Sequence, residues 1–224
     1  MKKIFGALLV VIFNSAWAGE YERGEAALEN KDYAKALVHF ETVAAQGEAR
    51  AQSSLGVMYE EGQGVEQDYK KAVHWFTLAA TQGDAYAQFF LALMYEEGKG
   101  VEKNLTTAVH WFQQAAAQGL ADAQLHLGDK YSSGLGVDKN YKAAAQWYKL
   151  AAEQNNDVAQ LFLALMYEQG KGVEQSYAQA YMWFTLSADQ GNKTAAANRD
   201  LYQTQLTSQQ IADAQKLASE CLAR

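Results

Sequence analysis

The chain has 224 residues, and 26 acidic against 19 basic side chains give it a formal net charge of −7. This acidic balance argues against a nucleic acid partner, because binding to phosphate backbones requires a basic surface. Cys221 is the single cysteine, which excludes an intrachain disulfide and leaves packing as the source of stability. Proline is absent, which is compatible with a chain that is helical almost throughout.

Residues 1–18 have the pattern of a secretory signal peptide. Two lysines precede an apolar run over residues 4–13, and small residues lead to an expected cut between Ala18 and Gly19. The apolar run is too short to span a bilayer, and no later segment is long and apolar enough. We therefore expect a periplasmic or secreted bacterial protein without stable membrane insertion.

Residues 19–47 predict two short helices, of which the second opens at Asp32. They form a divergent copy of a pattern that later recurs every 36 residues, and His39 stands where the later copies have tryptophan. A terminal repeat has a neighbour on one side only and is expected to be atypical. We interpret this segment as an N-terminal capping helix pair, and His39 as a cap residue rather than a catalytic one.

Four regular copies of the pattern follow, at residues 48–83, 84–119, 120–155 and 156–191. The first helix of each copy carries Ala-Gln-x-x-Leu-x-x-x-Tyr. The second carries an aromatic pair and small residues at i, i+3, i+4, i+7 and i+8, which is the spacing of one buried face. The spacing predicts a core column made by Trp75, Trp111, Trp147 and Trp183.

Glycines divide each copy in the same way. In the second regular copy, Gly98 is expected to end the first helix in the left-handed conformation, and Gly100 allows a second bend. Asn104 then stands at the N-cap of the second helix, which ends at Gly119. Asn155 replaces this last glycine in the third regular copy.

This arrangement resembles the Sel1-like repeat, a 36-residue relative of the tetratricopeptide repeat, over about residues 48–191. In the first regular copy the matching motifs are Leu55-Gly56-x-x-Tyr59, Gly62-x-Gly64-Val65, Lys71-Ala72, Trp75, Ala79-Ala80 and Gly83. The resemblance implies an all-α fold, a right-handed superhelical solenoid of about twelve helices. It also implies a function in holding other proteins.

Two departures from the family pattern stand out. Ala92 and Ala164 replace the glycine kept at Gly56 and Gly128, so adjacent helices are expected to move slightly apart or neighbouring side chains to compensate. A secreted cysteine-rich branch of the family has a disulfide in each repeat, and this chain lacks those cysteines.

Residues 192–224 lose the repeat pattern and are expected to form C-terminal capping helices. Thr207 and Gln210 fit a capping box that opens the final helix. One side of that helix carries Ile211, Ala214, Leu217, Ala218 and Leu222. Cys221 lies in its last turn, where we interpret it as a half-buried thiol.

No motif predicts catalysis, a metal site or a cofactor. His74 and His110 share one repeat position, and no His-x-x-x-His or Cys-x-x-Cys spacing occurs. The chain also has no Ser-x-x-Lys, which argues against a serine penicillin-recognising enzyme. The resemblance to secreted cysteine-rich relatives keeps a β-lactamase-like or cell-wall-related activity as an alternative. A binder of cell wall or of a small ligand is a third.

Carboxylates recur in the loops at the helix ends. A solvated ridge is the simpler interpretation, and an acidic edge that recruits basic segments is the alternative. The residues are Glu60, Glu61, Glu66, Glu96, Glu97, Glu102, Asp138, Glu168 and Glu174.

The first helices carry further apolar residues away from the Ala-Leu-Tyr face. In tetratricopeptide-like solenoids the first helices line the concave side, so these residues predict an apolar groove with a polar centre. The candidate residues are Phe89, Phe90, Leu93, Leu125, His126, Asp129, Leu161, Phe162 and Leu165. The alternative is that they only pack against neighbouring helices. The hypothesis is a monomeric, non-catalytic scaffold whose groove binds a protein or peptide.

Overall fold

The computed structural model describes residues 19–222, with the side chains of residues 220–222 left out. This part of the chain contains twelve helices and no strand, so the predicted all-α class is confirmed. Helix α1 covers residues 19–29. The others are α2 Tyr33–Ala44, α3 Ala49–Glu61, α4 Tyr69–Thr81, α5 Ala85–Glu97, α6 Leu105–Ala117, α7 Ala121–Ser133, α8 Tyr141–Glu153, α9 Asp157–Gln169, α10 Tyr177–Asp189, α11 Lys193–Gln205 and α12 Ser208–Leu222.

The predicted signal peptide and the side chain of Cys221 lie outside the described residues. Among the helices that are described, none is both long enough and apolar enough to cross a membrane.

The described residues fall into two compact units, 19–104 and 105–222. In the first unit, each helix from α2 to α5 packs against the next one along the chain. The second unit has the same order from α6 to α11. Consecutive packing of this kind is typical of helical repeats. Helix α12 departs from it, because it packs back onto α10.

Helix ends follow the predicted pattern of caps. Asp68, Asn140 and Ser176 each accept a backbone N–H of the helix that they open. Gly98 ends α5 with a φ of +77°, and its equivalents in α3, α7 and α9 also take the left-handed conformation. Asn155 has a φ of +67°, so it replaces glycine without changing the backbone.

Within each unit, the core rings belong to the residue that follows each tryptophan, or that follows His39 in the first copy. These rings are at most 3% exposed and belong to Phe40, Phe76, Phe112, Tyr148 and Phe184. The prediction that the tryptophans form the column is wrong for Trp75, Trp111 and Trp147, which are half-buried. Trp183 is only 4% exposed, and it lies on α10, the helix that has α12 as an additional neighbour.

A buried glutamine in each first helix joins it to the preceding second helix. Gln160 is 1% exposed, and its Nε2 donates to the Ala152 carbonyl at 3.1 Å. Its Oε1 accepts from Nε2 of Gln190 at 2.8 Å. Gln52, Gln88 and Gln124 bond in the same way to the carbonyl eight residues earlier. These glutamines therefore satisfy carbonyl groups at helix ends, which otherwise lack partners.

Replacing Gln160 with leucine is expected to lower the free energy of unfolding by about 2–3 kcal/mol, because the change removes these hydrogen bonds from a buried site. Urea denaturation measures the loss. Gln146→Leu is the matched control, since Gln146 is exposed on α8 and its replacement should change stability by less than about 0.5 kcal/mol. Equal losses in the two variants would contradict a role for the buried bonds.

Candidate functional site

All nine residues of the predicted groove are half-buried. Phe89, Phe90 and Leu93 lie on α5 in the first unit, and the other six lie on α7 and α9 in the second. Two clefts contain some of them. Phe90 lines a cleft of the first unit, and Asp129, Phe162 and Leu165 line a cleft of the second. A single groove of nine residues stays a prediction.

The cleft of the second unit, here the α7–α9 cleft, has a volume of about 260 Å³. Its floor is aromatic: the rings of Tyr148 and Phe162 stack with centroids 5.4 Å apart at 26°. Leu165 adds an apolar wall. The cleft can therefore cover the apolar part of a side chain.

The α7–α9 cleft also has polar groups at its edge. The Tyr148 hydroxyl donates to Oδ1 of Asp129 at 2.6 Å and lies 3.4 Å from Oγ of Ser132. Burial raises the pKa of Tyr148, and the hydrogen bond to Asp129 adds to this effect. The hydroxyl consequently stays protonated at neutral pH and keeps donating to the carboxylate. Lys171 lines the same cleft, with its Nζ 5.6 Å from the centroid of the Tyr141 ring.

The cleft of the first unit, here the α3–α5 cleft, has a volume of about 320 Å³. Phe90 forms part of it and stacks on Phe76 at 5.2 Å. Tyr86 is 62% exposed at its edge. The Arg50 guanidinium lies 4.3 Å from the centroid of the Tyr21 ring, which is a cation–π contact.

The two clefts occur at equivalent places in the repeat. Val57 and Phe90 in the first have the repeat positions of Asp129 and Phe162 in the second. Each cleft has a first-helix ring stacked on a core ring of the preceding second helix. An arrangement of this kind therefore occurs once in each unit.

These stacked rings also take part in packing. Phe90, His126 and Phe162 stack on Phe76, Phe112 and Tyr148, respectively. Leu125 and Leu161 pack against the core of the second unit. Phe162 and Leu165 pack against that core as well, so the alternative of packing against neighbouring helices applies to these positions, and their use as a groove stays a prediction.

Replacing Phe90 with asparagine is expected to lower the free energy of unfolding by about 1–3 kcal/mol, because a half-buried stacked ring is lost. Tyr86→Asn is the control on the same helix: Tyr86 is largely exposed, so its replacement should leave the midpoint of thermal unfolding nearly unchanged. If Phe90→Asn melts like the wild type, the stacking contributes nothing to stability.

Several cleft residues were not predicted from the sequence. Tyr148 and Ser132 lie beside Asp129, and Tyr86, Tyr21 and Arg50 lie around the α3–α5 cleft. One signal was available, because Tyr148 is the only tyrosine at a repeat position that is otherwise phenylalanine.

The model of the Sel1 repeat family matches residues 16–48, 49–84, 85–120, 121–156 and 157–192. A protective antigen of uropathogenic Escherichia coli strains, which displays an SLR fold, is 35% identical with a TM-score of 0.82; the match covers 92% of this chain but only 46% of that one.

A Sel1 repeat protein from Oxalobacter formigenes is 37% identical with a TM-score of 0.76, covering 80% of this chain and 74% of that one. A sel1 repeat protein from Klebsiella pneumoniae subsp. pneumoniae has the same fold at 23% identity, with a TM-score of 0.55 and coverage of 84% and 93%. No curated protein sequence is significantly similar to the chain. These matches identify the all-α fold as a helical repeat solenoid.

Proposed function

The chain belongs to the Sel1 repeat family, and from this premise we propose that it is a non-catalytic, monomeric scaffold that binds a protein partner through its first helices. Sel1 repeat proteins generally mediate protein–protein interaction and generally do so without catalysis. The observation that carries the proposal is the recurrence of the aromatic-floored cleft in the α3–α5 and α7–α9 positions. Clefts of this kind suit the aromatic and aliphatic anchors that dominate binding energy in protein interfaces.

We place the protein in the periplasm or outside the cell. The basis is the lysine-led apolar segment that ends in small residues before Gly19. A relative that is a protective antigen is consistent with such a location. Cell fractionation with mass spectrometry of the purified chain tests the proposal: a mass that begins at Gly19 is expected, and a cytoplasmic chain that begins at Met1 would contradict it.

Affinity capture tests the binding function. The tagged chain is incubated with envelope extract and with culture medium, and retained proteins are identified by mass spectrometry. Tyr86→Asn removes an exposed ring at the α3–α5 cleft and should reduce capture of a specific partner. Leu201→Asn, at a residue 52% exposed on α11, is the matched surface control and should keep it. Absence of any partner specific to the wild type would reject the scaffold function.

A further inference from the structure

We propose that the α7–α9 cleft receives a cationic side chain, lysine or arginine, of the partner protein, and that Asp129 and Tyr148 recognise it. This inference rests on the proposed scaffold function and names the chemistry of one of its binding sites.

The first step is an internal comparison of the repeats. The residues at the repeat position of Asp129 are Val57, Leu93 and Leu165, and those at the position of Tyr148 are Phe40, Phe76, Phe112 and Phe184. Among the four regular repeats, both members of the pair are therefore polar only in the copy 120–155, which supplies one side of the cleft; the N-terminal copy has Tyr21 at the Asp129 position. A well-packed apolar pair is usually as stable as a buried polar pair or more stable, so packing alone does not require the exchange.

The second step is the geometry of the pair. The Tyr148 hydroxyl, 2.6 Å from Oδ1, holds the Asp129 carboxylate at the edge of the cleft. A carboxylate can accept several donors at once, and its bonds to charged donors are stronger than neutral ones. The half-buried Phe162 ring, which stacks on the buried Tyr148, and Leu165 give the cleft an apolar side for the aliphatic stem of lysine or arginine.

The third step is the balance of charge. Ser132 and Gln169, which line the cleft, lie in the last turns of α7 and α9, and helix C-termini carry partial negative charge. Asp129 is half-buried and fixed by Tyr148, whereas Lys171 is exposed and more strongly screened by solvent. The charge fixed in the half-buried part of the cleft is therefore the Asp129 carboxylate, and Lys171 is an exposed cation at its edge. With about 260 Å³, the cleft has room for one long side chain rather than for a larger ligand.

A phage-displayed library of random short peptides, selected on the immobilised wild-type chain, provides the test. The expected outcome is enrichment of lysine or arginine next to an apolar residue. The best peptide is then synthesised, and its affinity for each variant is measured by fluorescence polarisation.

The decisive variant carries Asp129→Leu and Tyr148→Phe together, which restores the residues of the other repeats. Its midpoint of thermal unfolding should be at least as high as that of the wild type. Its affinity for the peptide should be lower by about tenfold or more, as expected when a charged hydrogen bond is lost. Lys171→Met should strengthen binding, because it removes a repelling cation. Asp138→Asn is the control for the double variant, because it also removes one negative charge but does so at an exposed loop residue. It should leave binding unchanged.

Selection of acidic peptides, or a selection that enriches no peptide, would overturn the inference. Undiminished peptide binding by the double variant, or weaker binding by Lys171→Met, would overturn it too. If Asp138→Asn lowered the affinity for the peptide as much as the double variant, net charge alone would explain the loss, and the inference would be overturned as well. Capture of the native partner separates this inference from the proposed function. A partner that is held equally by the wild type and the double variant refutes the cationic site and leaves the scaffold function standing.

Discussion

Replacement of Gly172 with alanine is expected to lower the free energy of unfolding by at least about 3 kcal/mol, because two separate penalties coincide at this residue. Its φ is +74°, a conformation that side chains disfavour. A Cβ atom would also lie 2.1 Å from the carbonyl oxygen of Tyr141, at the start of α8. The clashing atom is backbone, so no side chain can rotate away to relieve it.

Gly191→Ala separates the two penalties. Gly191 has a φ of +96°, but a Cβ atom there would meet nothing within 4 Å. Only the conformational cost remains, about 1 kcal/mol. Urea denaturation of both variants under the same conditions gives the comparison. Similar losses would mean that the approach of Gly172 to α8 does not contribute, and that conformation alone explains both glycines.

The local backbone of the repeats could be predicted from the sequence. Helix ends depend on residue types with few conformational options, so glycine at Gly98 and asparagine at Asn155 indicated their positive φ values before any packing was known. The N-caps Asp68 and Ser176 followed for the same reason, since a short polar side chain satisfies free N–H groups.

The choice of core ring was harder to predict. Trp75 and Phe76 are adjacent, and both fall on the apolar face with the alanines. At about 100° per residue, Phe76 lies nearer the centre of that face and Trp75 at its edge. The recurrence of tryptophan drew attention to the larger ring, although the angle favoured phenylalanine.

The candidate site could be predicted only in part, because it depends on contacts between helices. Asp129 and Phe162 followed from their position off the repeat face. Their partner Tyr148 lies on a second helix, and periodicity within one helix does not tell which residues of the next helix it meets. The α3–α5 cleft was missed for a related reason: Tyr21 belongs to the terminal helix pair, which the sequence identified only as a cap.

The core column leads to the second large effect. Phe76→Ala is expected to lower the free energy of unfolding by about 3–5 kcal/mol, as for other large-to-small changes at fully buried sites. Phe76 is 0% exposed and stacks on Phe90 of α5. On α3, a Cβ atom at Gly56 would lie only 2.5 Å from the Phe76 ring, so the ring packs directly on the backbone there. Its loss leaves a cavity that three helices border.

Trp75→Ala is the matched variant, because the two rings are neighbours on α4 and differ mainly in burial. Trp75 is half-buried and packs at the edge of the first unit's core, so its replacement should cost about half as much as that of Phe76. The predicted core column would make Trp111→Ala strongly destabilising, but Trp111 is also half-buried, so we expect a similarly reduced loss there. Urea denaturation followed by far-ultraviolet circular dichroism measures both variants. If Trp75→Ala lost more free energy of unfolding than Phe76→Ala, the tryptophan would be the main core residue. The assignment of the core position to the following residue would then be refuted.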